Sequence, residues 1–545
     1  MKTIHIRQSV NALLALCLLM CGTLLLAGCA KDAHMDEYIP TDNQPGTDPV
    51  PPLSDEVSKK LETIPGVSDV YIQVTKDGKE RGYYFSVEQQ IDHYNSDDNR
   101  TFKQRCFLDF ESYTAPVVLE TLGYNMTDSI DYFVEADLQK HLKANFLQVE
   151  HRYFGGSLPE ALENTDFTYL YTNQAACDLH AVVTLLQKHL FPRTNKWVAT
   201  GNSKGGITTT LYAYYSDQYG WNDIDLFVPF CAPFIAGSTT SCLDDNVGKY
   251  ILSTCGNGYA AGSTEAIAYQ YLCNIPAAIS SNQVLREVCL RRFHQDNSNL
   301  YLTLLSTYSG NQLEKAATAG VIHTFYSNLF NKFSYIQYGL WAKYVPDPAK
   351  ATAEGASDKY IDAVADFVFQ TYEELEKQII KDQKNSKAMR RAPMTDQDII
   401  SLRKSQKTMP YEIQAYRELG SYVYNYSWVD GTYLTQQFAT DATYPTTIDY
   451  MYGTRYAGQW DGGKLMTAVR AWTKTVSTKP IIFVYSYNDP WTGSAIDNDA
   501  ANASRKVWKV INLVGTHSDR FLETSACNPE ATKTIKDAIS TVLGL

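Results

Sequence analysis

The pentapeptide Gly201-Asn202-Ser203-Lys204-Gly205 follows directly on an apolar run, Trp197-Val198-Ala199-Thr200. Glycines on both sides of a serine permit a turn too tight for neighbouring Cβ atoms. A strand that enters such a turn and leaves it as a helix holds the serine hydroxyl clear of its sheet, open to a substrate. The pentapeptide therefore asks for a strand before it, a helix after it, and a sheet whose strand ends face a cleft.

Short apolar runs alternate with helical segments on both sides of this turn. Val70-Tyr71-Ile72-Gln73-Val74 and Tyr83-Tyr84-Phe85-Ser86-Val87 flank Lys76-Asp77-Gly78, a hairpin signal. Cys106-Phe107-Leu108-Asp109-Phe110 and Phe146-Leu147-Gln148-Val149-Glu150 are further strand candidates. Leu179, Val182, Val183, Leu186 and Leu190 mark one face of a helix leading to the strand before Ser203, and Ile207, Leu211 and Tyr214 mark the helix after it. Leu226-Phe227-Val228-Pro229-Phe230 is the next strand. This alternation predicts an α/β architecture with a mostly parallel sheet covered on both faces.

The rhythm stops over 236–479, where the chain reads as largely helical and polar, and resumes at Ile481-Ile482-Phe483-Val484-Tyr485 and at Trp508 to Leu513. Ile535, Ala538, Ile539 and Val542 mark a last helix. The expected fold is an α/β-hydrolase fold with a core of 55–235 and 480–545. A large, mainly helical cap, 236–479, is inserted before the last strands and covers the strand C-termini, where ligands bind in such sheets.

Lys2 and Arg7 precede an apolar stretch, Ala12 to Leu26, that is too short to span a bilayer comfortably. It ends in Leu26-Ala27-Gly28-Cys29, which resembles a bacterial lipobox and implies a signal peptide over 1–29 with lipid on Cys29. Pro40, Pro45, Pro49, Pro51 and Pro52 make 30–54 a flexible linker. The ends thus predict an exported bacterial lipoprotein, in the outer membrane or at the cell surface or periplasm, whose membrane contact is the lipid anchor. Eight cysteines follow Cys29, an even count that permits disulfides in an exported chain, above all among the five from Cys231 to Cys289. No C-x-x-C pair occurs, so neither zinc nor another cofactor is expected. The net charge of −12 and the lack of any basic run longer than a pair such as Arg390-Arg391 argue against a nucleic-acid partner. The 39 tyrosines fit either ordinary packing or a cleft for peptide or sugar.

A serine hydroxyl needs a base to take its proton, and the base needs an acid to orient it. On this fold they follow in the order nucleophile, acid, histidine. His294 and His323 fall in the cap, whereas His517 stands just after the last strand, in Val514-Gly515-Thr516-His517-Ser518-Asp519. Asp489, in Tyr487-Asn488-Asp489-Pro490-Trp491, directly follows the preceding strand; Asp497, Asp499 and Asp519 compete from positions further from a strand end.

Glu150-His151-Arg152-Tyr153-Phe154-Gly155-Gly156-Ser157-Leu158-Pro159, Gly201-Asn202-Ser203-Lys204-Gly205-Gly206, Asn488-Asp489-Pro490-Trp491 and Gly515-Thr516-His517 follow one another across Val67 to Leu545, the last three in the order nucleophile, acid, histidine. Together they resemble the secreted bacterial tripeptidyl aminopeptidases of the mycelial type, distant kin of lysosomal Pro-X carboxypeptidase. Lys204 and the doubled glycine favour the tripeptidyl branch, since the lysosomal branch typically has an aromatic residue after the serine. The resemblance implies a Ser203, His517 and Asp489 triad acting on peptide substrates.

The Lys204 backbone N–H, at the head of a helix, is the expected oxyanion donor. A second donor is expected from the loop around Glu111-Ser112-Tyr113. Glu150 and Trp491 are the substrate-side candidates. Glu150 either binds the substrate's α-amino group or, with Arg152 ion-paired and the glycines tight, only shapes a loop. A Ser–Lys mechanism through Lys204 is disfavoured, because adjacent side chains on the turn point apart. The activity expected is a serine exopeptidase releasing tripeptides. A carboxylesterase on the same fold, or a surface protein that binds through its cap, are the alternatives.

Overall fold

The computed structural model describes residues 54–545 apart from 77, 79, 131–135, 161–166, 193–194, 240–241, 297–308, 384–408, 423–458, 518, 520 and 523–526. Cys29, the signal segment and nearly all of the linker therefore lie outside the described residues.

The chain forms β1 (Val67–Val74), β2 (Arg81–Gln90), β3 (Thr101–Asp109), β4 (Val117–Thr121), β5 (Asn145–Val149), β6 (Trp197–Asn202) and β7 (Leu226–Phe230). Then come the two-residue strands β8 (Leu243–Asp244) and β9 (Ser421–Tyr422), followed by β10 (Ile481–Ser486) and β11 (Val507–Asn512). Nine of these make one sheet in the order β1-β2-β3-β5-β4-β6-β7-β10-β11. The hairpin side, β1-β2-β3-β5, is antiparallel. From β5 to β11 every neighbour is parallel. All of β7 and all of β10 are buried, as expected of strands covered on both faces.

Helices Thr172–His189, Lys204–Tyr219 and Lys464–Thr473 cover one face, packing Leu179, Val182, Val183, Leu211, Met466 and Val469 against Leu147, Ala199, Phe227 and Phe483. Helix Pro529–Leu543 covers the other with Ile535, Ala538, Ile539 and Leu543. Fully burying such an aliphatic side chain stabilises the fold by about 1.5–3 kcal/mol. This is an α/β-hydrolase fold preceded by one extra strand, β1, with a mainly helical cap between β7 and β10.

The cap has its own apolar core around helix Gly310–Tyr335, whose Val321, Ile322, Phe325, Leu329 and Phe333 are buried together with Leu272, Phe293 and Trp341. The largely polar character expected of this block describes its surface and not its interior. β8 and β9 pair in parallel and tie the start of the cap to its return segment.

Two expectations are corrected. Val117–Thr121, which carries no strand signal in the sequence, is a central strand paired along its whole length with β5 and from Val117 to Glu120 with β6. No disulfide forms among the described residues: Cys106, Cys177, Cys231, Cys242, Cys255, Cys273, Cys289 and Cys527 are all thiols.

Candidate active site

The carboxyl ends of the parallel strands share one edge of the sheet, and the predicted triad collects there. β6 ends at Asn202, and the chain turns through Ser203 at φ 54°, ψ −119° into helix Lys204–Tyr219. A non-glycine residue in that region is strained and persists only where its surroundings hold it. Here the Ser203 N–H donates to the Phe230 carbonyl at 2.9 Å and the Ser203 carbonyl accepts from Ile207 at 3.0 Å. Gly201 is obligatory, because a Cβ there would lie 2.6 Å from the Gly205 carbonyl.

His517 Nε2 lies 3.0 Å from Ser203 Oγ, and His517 Nδ1 lies 2.8 Å from Asp489 Oδ2. With Nδ1–H donating to the carboxylate, Nε2 presents a lone pair to the serine hydroxyl. Ser203, Asp489 and His517 are 2 %, 0 % and 1 % exposed. Asp489 Oδ1 accepts from the Trp491 N–H at 3.0 Å, which orients the carboxylate as the cap of the short turn Pro490–Ser494. The competing aspartates are engaged elsewhere. Asp497 pairs with Arg470 and Lys474, Asp499 with Lys474, and Asp519 accepts from the Thr516 N–H and hydroxyl.

Cys231, just past β7 at φ 44°, places its sulfur beside Asp489 and His517, the three ligand-type atoms lying within 4.8 Å of one another. Burial, and then the Asp489 charge, push its thiol up to about 12, so it stays protonated and does not compete with Ser203 as a nucleophile.

Three site expectations are revised. Glu111 follows β3, which runs antiparallel to β5, so its loop sits at the amino ends of the parallel strands, away from Ser203. The Glu111 and Ser112 N–H groups both donate to Asn145 Oδ1. The loop beside the elbow is Leu122–Asn125, after β4, and no apolar periodicity in the sequence marks the strand that leads to it. Glu150 is fully buried and saturated: Oε1 accepts from the Met126 N–H, and Oε2 accepts from the Gly156 N–H, the Ser157 N–H and the Ser157 hydroxyl. Burial raises its pKa against the opposing Arg105 charge and these donors, and no room remains for a substrate amine.

Trp491 is 3 % exposed and packs its ring edge-on against Phe330 of the cap, behind His517, instead of lining the cleft. Lys204 is also buried; its ammonium donates to the Gly123 carbonyl and lies over the Tyr124 and Phe154 rings, so it is no base for Ser203. Arg152 is indeed ion-paired, bidentate to Asp178 at 2.7 Å through both nitrogens. Part of the tyrosine content lines a shallow pocket, where Tyr250, Tyr259, Tyr338 and Tyr487 surround Asn488 and Pro490 of the acid turn.

Residues 89–217 match the serine carboxypeptidase S28 family, a segment that includes the elbow but neither Asp489 nor His517. The chain is 29 % identical over 181 residues to a prolyl tri/tetrapeptidyl aminopeptidase of Streptomyces mobaraensis, covering 33 % of this chain and 34 % of that protein. It is also 29 % identical over 144 residues to the lysosomal Pro-X carboxypeptidase of Bos taurus, covering 24 % and 28 %. The matches thus span about a third of the length of these curated relatives. A solved structure of the rice cell wall degrading esterase LipA from Xanthomonas oryzae aligns over 87 % of this chain and 96 % of its own, at 12 % identity and a TM-score of 0.31. By the matched segment and by these relatives, the chain resembles the S28 serine peptidases.

Proposed function

We propose that this chain is a serine exopeptidase that removes tripeptides from the amino ends of peptides through a Ser203 acyl-enzyme. The observation that carries the reading is the hydrogen-bonded chain Ser203–His517–Asp489 at the carboxyl edge of the sheet. His517 takes the proton of Ser203 as its oxygen attacks a peptide carbonyl, then delivers it to the leaving amine. Asp489 holds the ring in the tautomer with Nδ1 protonated. The Lys204 N–H, in the first helical turn where no intrahelical acceptor is available, stabilises the oxyanion. Water repeats the cycle and releases the acyl group. The peptidase names of the relatives support peptides over simple esters, and the cap beside the triad supports short or terminal substrates.

Labelling with a fluorophosphonate probe tests the nucleophile: the unaltered protein reacts, Ser203→Ala and His517→Ala do not. Tripeptide anilides with free and with acetylated amino ends then test the exopeptidase register, and equal turnover of the two would sink it. On the sequence pattern alone we also propose export and lipid attachment at Cys29. Palmitate incorporation that survives Cys29→Ala contradicts that.

A further inference from the structure

The loop after β4 runs over the first turn of the elbow helix at the closest possible range. A Cβ on Gly123 would lie 2.8 Å from the Gly205 nitrogen and from Cβ and Cγ of Lys204. Three ties fix this loop from outside. The Lys204 ammonium donates to the Gly123 carbonyl, the His151 N–H donates to the Tyr124 carbonyl at 3.2 Å, and the Met126 N–H donates to Glu150 Oε1 at 2.9 Å. Neither charged group is loose. Lys204 is buried, with its ammonium 4.9 Å from the Phe154 ring centroid and 5.3 Å from that of Tyr124. Glu150 is anchored by Gly156 and Ser157, with Arg105 at 3.5 Å.

A planar trans peptide points its carbonyl and its N–H in opposite directions. Holding the Gly123 carbonyl on the Lys204 ammonium therefore fixes the direction of the Tyr124 N–H. We propose that the Lys204 side chain and the Glu150 carboxylate are a two-point clamp that aims the Tyr124 N–H as the second oxyanion donor. Both are positioning residues and touch no substrate. The inference rests on the serine-hydrolase reading above. It gives one residue two tasks: the Lys204 backbone supplies one donor and its side chain positions the other. It also explains why a buried carboxylate too crowded to bind an amine sits so close to the elbow.

The test compares Lys204→Met, Glu150→Gln, Tyr124→Pro and the double variant Lys204→Met/Tyr124→Pro, with rates normalised to the sites titrated by fluorophosphonate. Removing a donor outright in Tyr124→Pro is expected to lower kcat on the order of 10²–10³-fold. The clamp variants are expected to lower kcat and the affinity for a peptide aldehyde together by at least about tenfold, since both depend on an oxyanion, with KM and product affinity unmoved. The double variant is expected to be no worse than Tyr124→Pro alone, because a clamp with no donor to aim has no effect left. Unchanged normalised kcat in Lys204→Met, or full additivity in the double variant, overturns the clamp. If Lys204→Met does not fold, Glu150→Gln/Tyr124→Pro gives the same cycle. Failure of the unaltered protein to label overturns the hydrolase reading instead.

Discussion

The His517 N–H donates to the Ser334 carbonyl at 2.9 Å, so the last turn of the long cap helix holds the backbone of the residue at the centre of the triad. An aromatic contact from the same helix lies beside it. Phe330, one turn earlier on that helix, meets Trp491, and Trp491 in turn lies 6.1 Å from the His517 ring. The cap is thus part of the support of the base as well as a cover over it.

This coupling predicts that Trp491→Ala harms both folding and chemistry. Truncating a buried tryptophan to alanine costs about 3–5 kcal/mol. Urea denaturation is expected to show that loss. Normalised kinetics are expected to show a fall in kcat larger than any rise in KM, because His517 loses a wall and no substrate contact goes with it. A changed KM with an intact kcat would return Trp491 to the substrate cleft.

The choice among four aspartates is equally open to measurement. Asp489→Asn keeps the shape of the turn but allows the wrong imidazole tautomer, and a loss of about 10⁴-fold in kcat is expected. Asp497→Asn and Asp499→Asn remove exposed or half-exposed ion pairs with Arg470 and Lys474 and are expected to leave kcat within about twofold and stability within about 1 kcal/mol. A larger loss of kcat in either than in Asp489→Asn refutes the assignment.

The triad was legible in the sequence because each member closely follows a strand rich in apolar residues, and chain order together with that position selects Asp489 over the later aspartates and His517 over His294 and His323. Glu111 was misplaced for a reason that residue patterns do not encode. Cys106-Phe107-Leu108 reads the same whether the strand runs with its neighbours or against them, and direction decides which end of the sheet its loop reaches. Val117–Thr121 carries only three consecutive apolar residues and gave no periodic signal, although it positions Gly123. Glu150 was ambiguous because a carboxylate beside glycines looks alike whether its acceptors are empty or filled by N–H groups from its own loop. Burial of Trp491 depended on a contact with Phe330, which is 161 residues distant in sequence, and no local signal reports that.

Stability is expected to depend on pH through the cap. Lys332, two residues before Ser334, is fully buried, donates to the Gln370 carbonyl and lies 4.9 Å from the Phe367 ring centroid. Burial lowers its pKa from 10.5 to about 7, opposed by Glu373 and Glu374. Between about 7 and 10.5 the unfolded chain holds a proton on this lysine that the folded chain lacks, so stability rises with pH across that window. Below about 7 both states are protonated and the slope vanishes. The slope is at most about 1.4 kcal/mol per pH unit. Glu418, half-buried with its carboxylate accepting from the Thr172 N–H, has its pKa raised by desolvation from 4.5 to about 7 and acts in the opposite sense, stability falling as pH rises from 4.5 to 7. Denaturant midpoints at several pH values, compared with Lys332→Met and Glu418→Gln, separate the two windows. A Lys332→Met profile with the same alkaline slope as the unaltered protein rules out this source.

The eight thiols give the last prediction, because an exported chain with an even cysteine count is usually taken to be bridged. Here six of the eight are buried and Cys177 and Cys273 are half-buried. Burial raises the pKa of Cys255 and Cys289 to about 12, which keeps them protonated and slow to oxidise even where the solvent favours disulfides. A protein beginning after Cys29 is expected to show eight reactive thiols in denaturant without reductant. In the folded state only Cys177 and Cys273 are expected to react quickly with a maleimide, and dithiothreitol is expected to leave Tm unchanged. Fewer than eight thiols in denaturant, together with a fall in Tm on reduction, means that a bridge forms among them, and the five cysteines from Cys231 to Cys289 are then the first place to look.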